Sequence, residues 1–290
     1  MAKRADKDET RDVKTRARFV GNYDEDYGKS YEKRGVRHAL YAVVKRIFDF
    51  FSSLILAIVL TPFVLIFILV KFLEDVFCPK YELSIEKADT SVAPKKKTVR
   101  ATAKDGTVYD CRLKAVPWQK GDKRFVSPVY VSDRVGKNGK VFRMLKIRSM
   151  VRDAENMKRQ LVEAGLNEAD EPAFKMKNDP RITPFGIFLR KTSADELLQL
   201  FNVLFGQLSV VGPRSPLISE VEEYSSDALH RLDVKGGLLC LWQISHDRNS
   251  ICFDEWVKMD VSYIRRQSVW LDLKIIFKGA FMVLFDGSGE

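Results

Sequence analysis

The chain has 290 residues, 46% of them hydrophobic, a formal net charge of +10 and a sequence pI near 9.3. That length suits one large domain or two small ones, and the basic balance points to an anionic partner: nucleic acid, lipid headgroups or a phosphorylated substrate. Four scattered cysteines and three histidines form no CxxC or Cys/His cluster that suggests zinc, a metal site would need carboxylates, and reduced thiols in a cytoplasmic domain are expected.

Residues 1–40 mix acids and bases with few apolar side chains, as in a mobile cytoplasmic tail. Residues 41–78 hold the membrane-inserted segment. Its heart, "FFSSLILAIVLTPFVLIFILV" at 50–70, carries no charge. As a helix it would be roughly 30 Å long, the thickness of a hydrocarbon core. Pro62 lacks an N–H and predicts a kink, while Thr61, Ser52 and Ser53 can offer hydroxyls to disturbed backbone groups. Lys45, Arg46 and Lys71 flank the run without fixing its orientation. On the residues alone, a kinked helix returning to the same face and a straight crossing are both open.

Residues 79–124 are polar and lysine-rich, with Lys95, Lys96 and Lys97 as a solvated loop. Within them Asp105-Gly106 predicts a turn, and Tyr109, Cys111 and Leu113 alternate as in a strand. A second hairpin is expected around Asn138-Gly139, whose residues tolerate the positive φ of a type I′ turn. It carries Arg134, Lys137, Lys140, Arg143, Lys146 and Arg148. From 151 onward the pattern is mainly helical, beginning with "RDAENMKRQLVEAGL".

The segment "KTSADELLQLFN" places Asp195 and Glu196 ahead of an apolar run. Ser193 and Glu196 fit a capping box, in which each side chain satisfies a free backbone N–H of the first turn. Asp195 and Glu196 could equally be a pair of reacting carboxylates. "LSVVGPRSPL" follows, and its Gly-Pro-Arg corner projects Arg214, a side chain suited to forked phosphate contacts. Arg181, Arg190 and Lys191 lie upstream, and "HDRN" adds Arg248. Near the C-terminus, Trp256, Tyr263 and Trp270 could sit at headgroup depth while Lys274 and Lys278 snorkel; packing on a core fits the same composition.

Read together, "KRIFDF", "RVGKNGKVFRMLKIRSM", "DPRITPFGIFLRKTSADELLQLFNVLFGQLSVVGPRSP", "LWQIS…RN", "WVKMDVSYI" and "WLDLKI" resemble the bacterial sugar transferases, specifically the monotopic polyprenyl-phosphate phosphoglycosyl transferases. The likeness runs from about Lys45 to Phe285, excepting 79–124. It implies an α+β fold: a re-entrant membrane helix bending at Thr61-Pro62, then a compact cytoplasmic catalytic domain over 125–290 with a small β-hairpin and interfacial amphipathic helices. The cell membrane, with that domain on the cytoplasmic face, is the implied location.

The resemblance implies that a UDP-sugar donates sugar-1-phosphate to polyprenyl phosphate, such as undecaprenyl phosphate. UMP and a lipid-linked diphosphate sugar result, the initiating step of exopolysaccharide, capsule or other surface-glycan assembly. Asp195 is implied as the nucleophile that forms an acyl phosphate, and as a ligand of Mg²⁺. Glu196 is implied to orient or deprotonate the lipid phosphate. Arg190, Arg214, Lys146, Arg148 and Arg248 are implied as the substrate clamp.

Three departures stand out. Ser215 interrupts the usual Pro-Arg-Pro, Thr61 replaces the serine before the kink proline, and Gly236, Cys240 and His246-Asp247 alter the "VKGGLLCLWQISHDRN" stretch. His246 reads as a loop histidine. Two other classes compete: a membrane-anchored scaffold or regulator of polysaccharide assembly with little catalysis, and a membrane-tethered nucleic-acid binder. The acidic pair argues against both, and no nucleic-acid motif is present, so nucleic acid is not expected as a partner. Membrane lipids are expected partners, and a homo-oligomer is compatible with the sequence.

Overall fold

The computed structural model describes residues 35–119, 126–168, 174, 176, 178–245 and 252–282. Most of the expected tail, and the "HDRN" segment with His246 and Arg248, lie outside the described residues. The fold is α+β. Helix α1 (Gly35–Phe77) is followed by strands β1 (Lys80–Lys87), β2 (Thr98–Thr102) and β3 (Val108–Val116), then β4 (Val129–Val135) and β5 (Val141–Ile147). Helices α2 (Ala154–Glu163), α3 (Pro184–Lys191) and α4 (Gln199–Leu204) lead to β6 (Ser209–Val211). Short helices α5 (Ile218–Glu222) and α6 (Ser226–Leu229) precede β7 (Gly237–Leu239), and α7 (Phe253–Arg266) and α8 (Val269–Phe281) complete the order.

Helix α1 is long and apolar enough to cross a membrane by length and composition. Ile55, Ile58, Val59 and Leu65 are exposed along it. Pro62 lies inside the helix and has no N–H to give the Ile58 carbonyl. Thr61 Oγ1 donates to the Ala57 carbonyl at 2.6 Å, and Ser52 Oγ to the Phe48 carbonyl at 2.6 Å. The hydroxyls expected near the proline therefore turn inward onto the helix's own backbone.

The chain forms two compact units. One comprises the described residues of 35–62, 131–146 and 196–282, the other those of 63–130 and 147–195. In the first unit, Val211, Val234, Ile244, Tyr263, Ile264 and Ile275 make one apolar core, and Val135, Val221, Tyr224, Leu229, Leu232 and Val257 another. Parallel strands β6 and β7 pair Ser209 with Gly237 and Val211 with Leu239. The backbones there approach so closely that a Cβ on Gly237 would fall 2.0 Å from the Gly212 nitrogen, so only glycine fits.

In the second unit, β1, β3 and β2 form an antiparallel sheet in that order. Asp105 and Gly106 (φ +84°) make the expected β2–β3 turn. Strand β1 carries the alternation Tyr81, Leu83, Ile85 and is an element beyond the expected hairpin. The side chains of Leu83, Ile85, Val99, Ala101 and Tyr109 pack with buried Cys111, Leu161 of α2 and Leu166. The opposite face is laced by cross-strand pairs, Arg100–Asp110 at 2.8 Å and Lys114–Glu86 at 2.7 Å. This is period-2 alternation with one apolar and one charged face.

The β4–β5 connection has Asn138 at φ 56° and Gly139 at φ 72°, the two positive angles expected of that turn. The capping box at Ser193 does not form. Ser193 itself takes φ +54°, Ala194–Glu196 make a 3₁₀ turn, and α4 starts only at Gln199. A left-handed Ser193 cannot occupy the extended cap conformation that the box requires.

Candidate active site

In the first unit, Glu196 meets Lys146 of β5 across 2.6 Å. Lys146 is 25% and Glu196 36% exposed, so the pair faces solvent in part. Burial opposes ionisation of Glu196, but the charge and hydrogen bond of Lys146, with Arg214 beyond it, outweigh that and hold the carboxyl below its usual range. Arg214 is half-buried on the corner between β6 and α5. The structure thus brings Lys146, Glu196 and Arg214 together.

Behind Arg214 lies a buried network that the sequence reading missed. Arg231 Nε donates to Asp260 Oδ2 at 2.8 Å, and its Nη1 to the Tyr224 hydroxyl at 2.7 Å. Burial pushes the Asp260 carboxyl up, with Arg231 and Arg214 opposing the shift. Burial also pushes Tyr224 up to about 12 and raises the Cys240 thiol. Each of these groups also feels the charge of Arg214. No single stretch of sequence could have announced partners 29 positions apart. The Arg214 corner is packed tightly: a Cβ on Gly236 would come 1.9 Å from Ser215 Oγ.

In the second unit, Asp195 is 8% exposed at the middle of its 3₁₀ turn. Arg190, in the last turn of α3, donates through Nε to Ser149 Oγ at 3.0 Å. That helix is set by Thr183, which caps Gly186, and by Gly186, where a Cβ would fall 1.9 Å from the Ser149 carbonyl oxygen. Arg148 and Arg181 turn inward. Arg148 Nη2 donates to Asp75 Oδ2 at 2.7 Å and to the carbonyls of Val126 and Ser127. It is 8% exposed. Arg181 pairs with Asp179. Both side chains neutralise acids of their own unit.

Among the described residues no group of three or more His, Cys, Asp or Glu could hold a metal ion. A single carboxylate is still compatible with Mg²⁺, which keeps several waters and takes its remaining oxygens from substrate phosphates. Asp195 is the carboxylate that the sequence resemblance assigns to such an ion, and Glu196 is engaged by Lys146.

The description "Bacterial sugar transferase" fits residues 115–286, and the chain belongs to that family. It is 47% identical over 161 residues to the "Galactosyl transferase CpsE" of Streptococcus agalactiae, covering 56% of this chain and 35% of that protein. It is 43% identical over 169 residues to the "Undecaprenyl-phosphate galactose phosphotransferase" of Salmonella typhimurium, covering 58% of this chain and 35% of that one. Against the "Exopolysaccharide production protein ExoY" of Rhizobium meliloti the identity is 39%, over 52% of this chain and 68% of the relative. The chain therefore spans about a third of the length of the first two. Most of the three-stranded sheet precedes the family match. Family and long apolar helix together point to membrane association.

The C-terminal helices divide between the two placements left open for their aromatics. Tyr263 is 1% exposed, bonded to Asp272 and to the Val211 carbonyl, and Trp256 stacks on Trp242 at 4.7 Å. Tyr263 is a core residue, and half-buried Trp256 packs on protein, because α7 turns them onto the β6–β7 layer and the Trp242 turn. Trp270 is 79% exposed, as an interfacial residue would be.

Proposed function

We propose that this protein transfers sugar-1-phosphate from a UDP-sugar to polyprenyl phosphate at the cytoplasmic face of a bacterial membrane. The observation that carries the reading is the Lys146–Glu196–Arg214 constellation next in sequence to Asp195, within a chain of this family. Relatives whose names specify undecaprenyl-phosphate sugar transfer support it.

The Asp195 carboxylate attacks the β-phosphorus of the UDP-sugar. The bond from that phosphorus to the bridging oxygen breaks, UMP departs with the electron pair, and an aspartyl phosphosugar remains. An oxygen of polyprenyl phosphate then attacks the same phosphorus and releases Asp195. Glu196 orients the acceptor phosphate, while Lys146, Arg190 and Arg214 hold phosphate oxygens; Arg248 is retained in this role from its sequence position alone. Mg²⁺, when bound through Asp195, supplies charge neutralisation on the diphosphate. Arg148 is left out of the clamp, since its charge is spent on Asp75.

The test is UMP release by purified protein with polyprenyl phosphate and Mg²⁺ across a panel of UDP-sugars. Release with at least one donor, and loss of at least about a thousandfold in Asp195→Asn, is expected. No release with any donor would favour the scaffold reading; equal release by the variant would reject the nucleophile. We further propose that α1 is re-entrant at Thr61-Pro62. Single cysteines placed at exposed Val36 and Glu82, in a chain without the four native cysteines, should both react only from the cytoplasmic side. Opposite sidedness would establish a crossing.

A further inference from the structure

The C-terminal end of α4 is served by a side chain from α1. Arg46 Nη1 donates to the Val203 carbonyl at 2.9 Å and Nη2 to the Leu204 carbonyl at 2.8 Å. The Val203 carbonyl also accepts the Gly206 N–H at 2.9 Å, so the guanidinium adds a second bond there at the helix end. At Gly206 (φ +76°) a Cβ would lie 3.2 Å from Arg46 Nη2 and 3.4 Å from Lys235 Nζ, so the two cations face each other across one backbone position. Lys137, in the β4–β5 turn, is the third. Burial, then Arg46, then Lys137 hold the Lys235 ammonium below its usual range, with Asp49 alone opposing them. Asp49 is 3% exposed and accepts the Val210 N–H at 3.0 Å. Among the described residues neither Lys137 nor Lys235 has a carboxylate within 4.0 Å.

Three cations and one committed acid leave uncompensated charge. Its surroundings are apolar and exposed: Phe205 is 74% exposed beside Gly206, and Ile47 and Phe51 of α1 are 53% and 56% exposed. Arg46 itself lies over the Phe50 ring at 5.9 Å. Cations set beside bare aromatic and aliphatic side chains match the layering of a bilayer surface, where phosphates lie above acyl chains.

We propose that Arg46, Lys137 and Lys235 form a binding site for the headgroup phosphate of an anionic phospholipid, with Phe205, Ile47 and Phe51 against its acyl chains. The site is separate from the residues assigned to phosphosugar transfer. It rests on membrane association, not on the identity of the nucleophile. Bulk phospholipid is favoured over the polyprenyl phosphate substrate because Arg46 is already spent on two backbone carbonyls. That fixes a permanent cation rather than a group free to release a product.

The experiment is native mass spectrometry of the full chain in detergent, titrated with phosphatidylglycerol or with phosphatidylcholine. The protein should retain phosphatidylglycerol in preference to phosphatidylcholine. Lys235→Gln should weaken the first phosphatidylglycerol adduct about fivefold, and Lys137→Gln with Lys235→Gln further, at about 1 kcal/mol per cation. Phosphatidylcholine adducts should be unchanged in both. Asp195→Asn should bind phosphatidylglycerol as the parent does, so loss of catalysis and loss of this site are read separately. Equal retention of the two lipids, or parent-like phosphatidylglycerol binding in the double variant, overturns the proposal. So does a double variant that loses polyprenyl phosphate alone, which would assign the cluster to the acceptor.

Discussion

The two ends of α1 use charge in opposite ways. At the amino-terminal end, Lys45 bonds Asp272 at 2.7 Å, Tyr41 donates to the same carboxylate at 2.8 Å, and Arg46 and Asp49 grip backbone groups of residues 203, 204 and 210. Every partner is more than 150 positions away. At the carboxyl-terminal end, Lys71 is fully buried and pairs within its own helix, with Glu74 at 2.7 Å and Asp75 at 3.0 Å. Those acids then reach outward, Glu74 to the Phe185 N–H and Asp75 to Arg148. The first end reaches distant chain directly and leaves cations in excess. The second sets one lysine between two acids of its own helix and comes to balance with Arg148. Long-range grip and local neutralisation are thus two solutions to ending an apolar helix, and they should fail differently.

Removing Lys71 should do the most damage. Lys71→Met takes a fully buried cation from between half-buried Glu74 and buried Asp75, leaving them the Phe185 N–H and Arg148, and such loss of one partner of a buried pair costs about 3–5 kcal/mol. The expected readout is a large fall in the melting temperature of the detergent-solubilised protein, partly restored by Glu74→Gln in the same chain. Arg46→Gln should cost less, about 1.5–3 kcal/mol, because two charged hydrogen bonds to carbonyls are lost while no acid is left alone. If the two variants melt together, the contrast between the ends is wrong.

The half-exposed Lys146–Glu196 pair sets the lower limit. Lys146→Met should change stability by no more than about 1 kcal/mol, since exposed pairs are screened. Its pH dependence has a definite sign. The folded Glu196 carboxyl lies below its unfolded value, so the pair's contribution is present above the unfolded value and is lost as pH falls through the folded one. The parent should therefore lose its small advantage over Lys146→Met on acidification, as melting curves across acidic pH would record. The same variant should slow UMP release far more than it lowers the melting temperature.

Local chemistry made much of this fold readable. Asn138-Gly139 and Asp105-Gly106 announce their turns because few residues tolerate φ > 0. The apolar length of α1 is written in its composition. Long-range outcomes were not readable. Arg148 sits in the same basic strand region as Lys146, yet one is sunk against Asp75, 73 positions away, and the other faces Glu196. Identical charge on the same stretch gave no way to separate them. Ser193 carried a strong capping signal, but its left-handed backbone displaced the helix start to Gln199. Tyr263 and Trp256 were ambiguous for the same reason: an aromatic side chain suits a core and a bilayer surface equally well.

Gly236 and Ser215 lie 21 positions apart in sequence, but space couples them. With Ser215 Oγ only 1.9 Å from where a Cβ at 236 would stand, no residue larger than glycine fits at 236 while the serine keeps its rotamer. A larger residue at 236 therefore requires the Ser215 hydroxyl to turn away or position 215 to change, and the rank order of single variants at either one will depend on its neighbour. A library that samples 236 alone would misjudge which residues the corner tolerates.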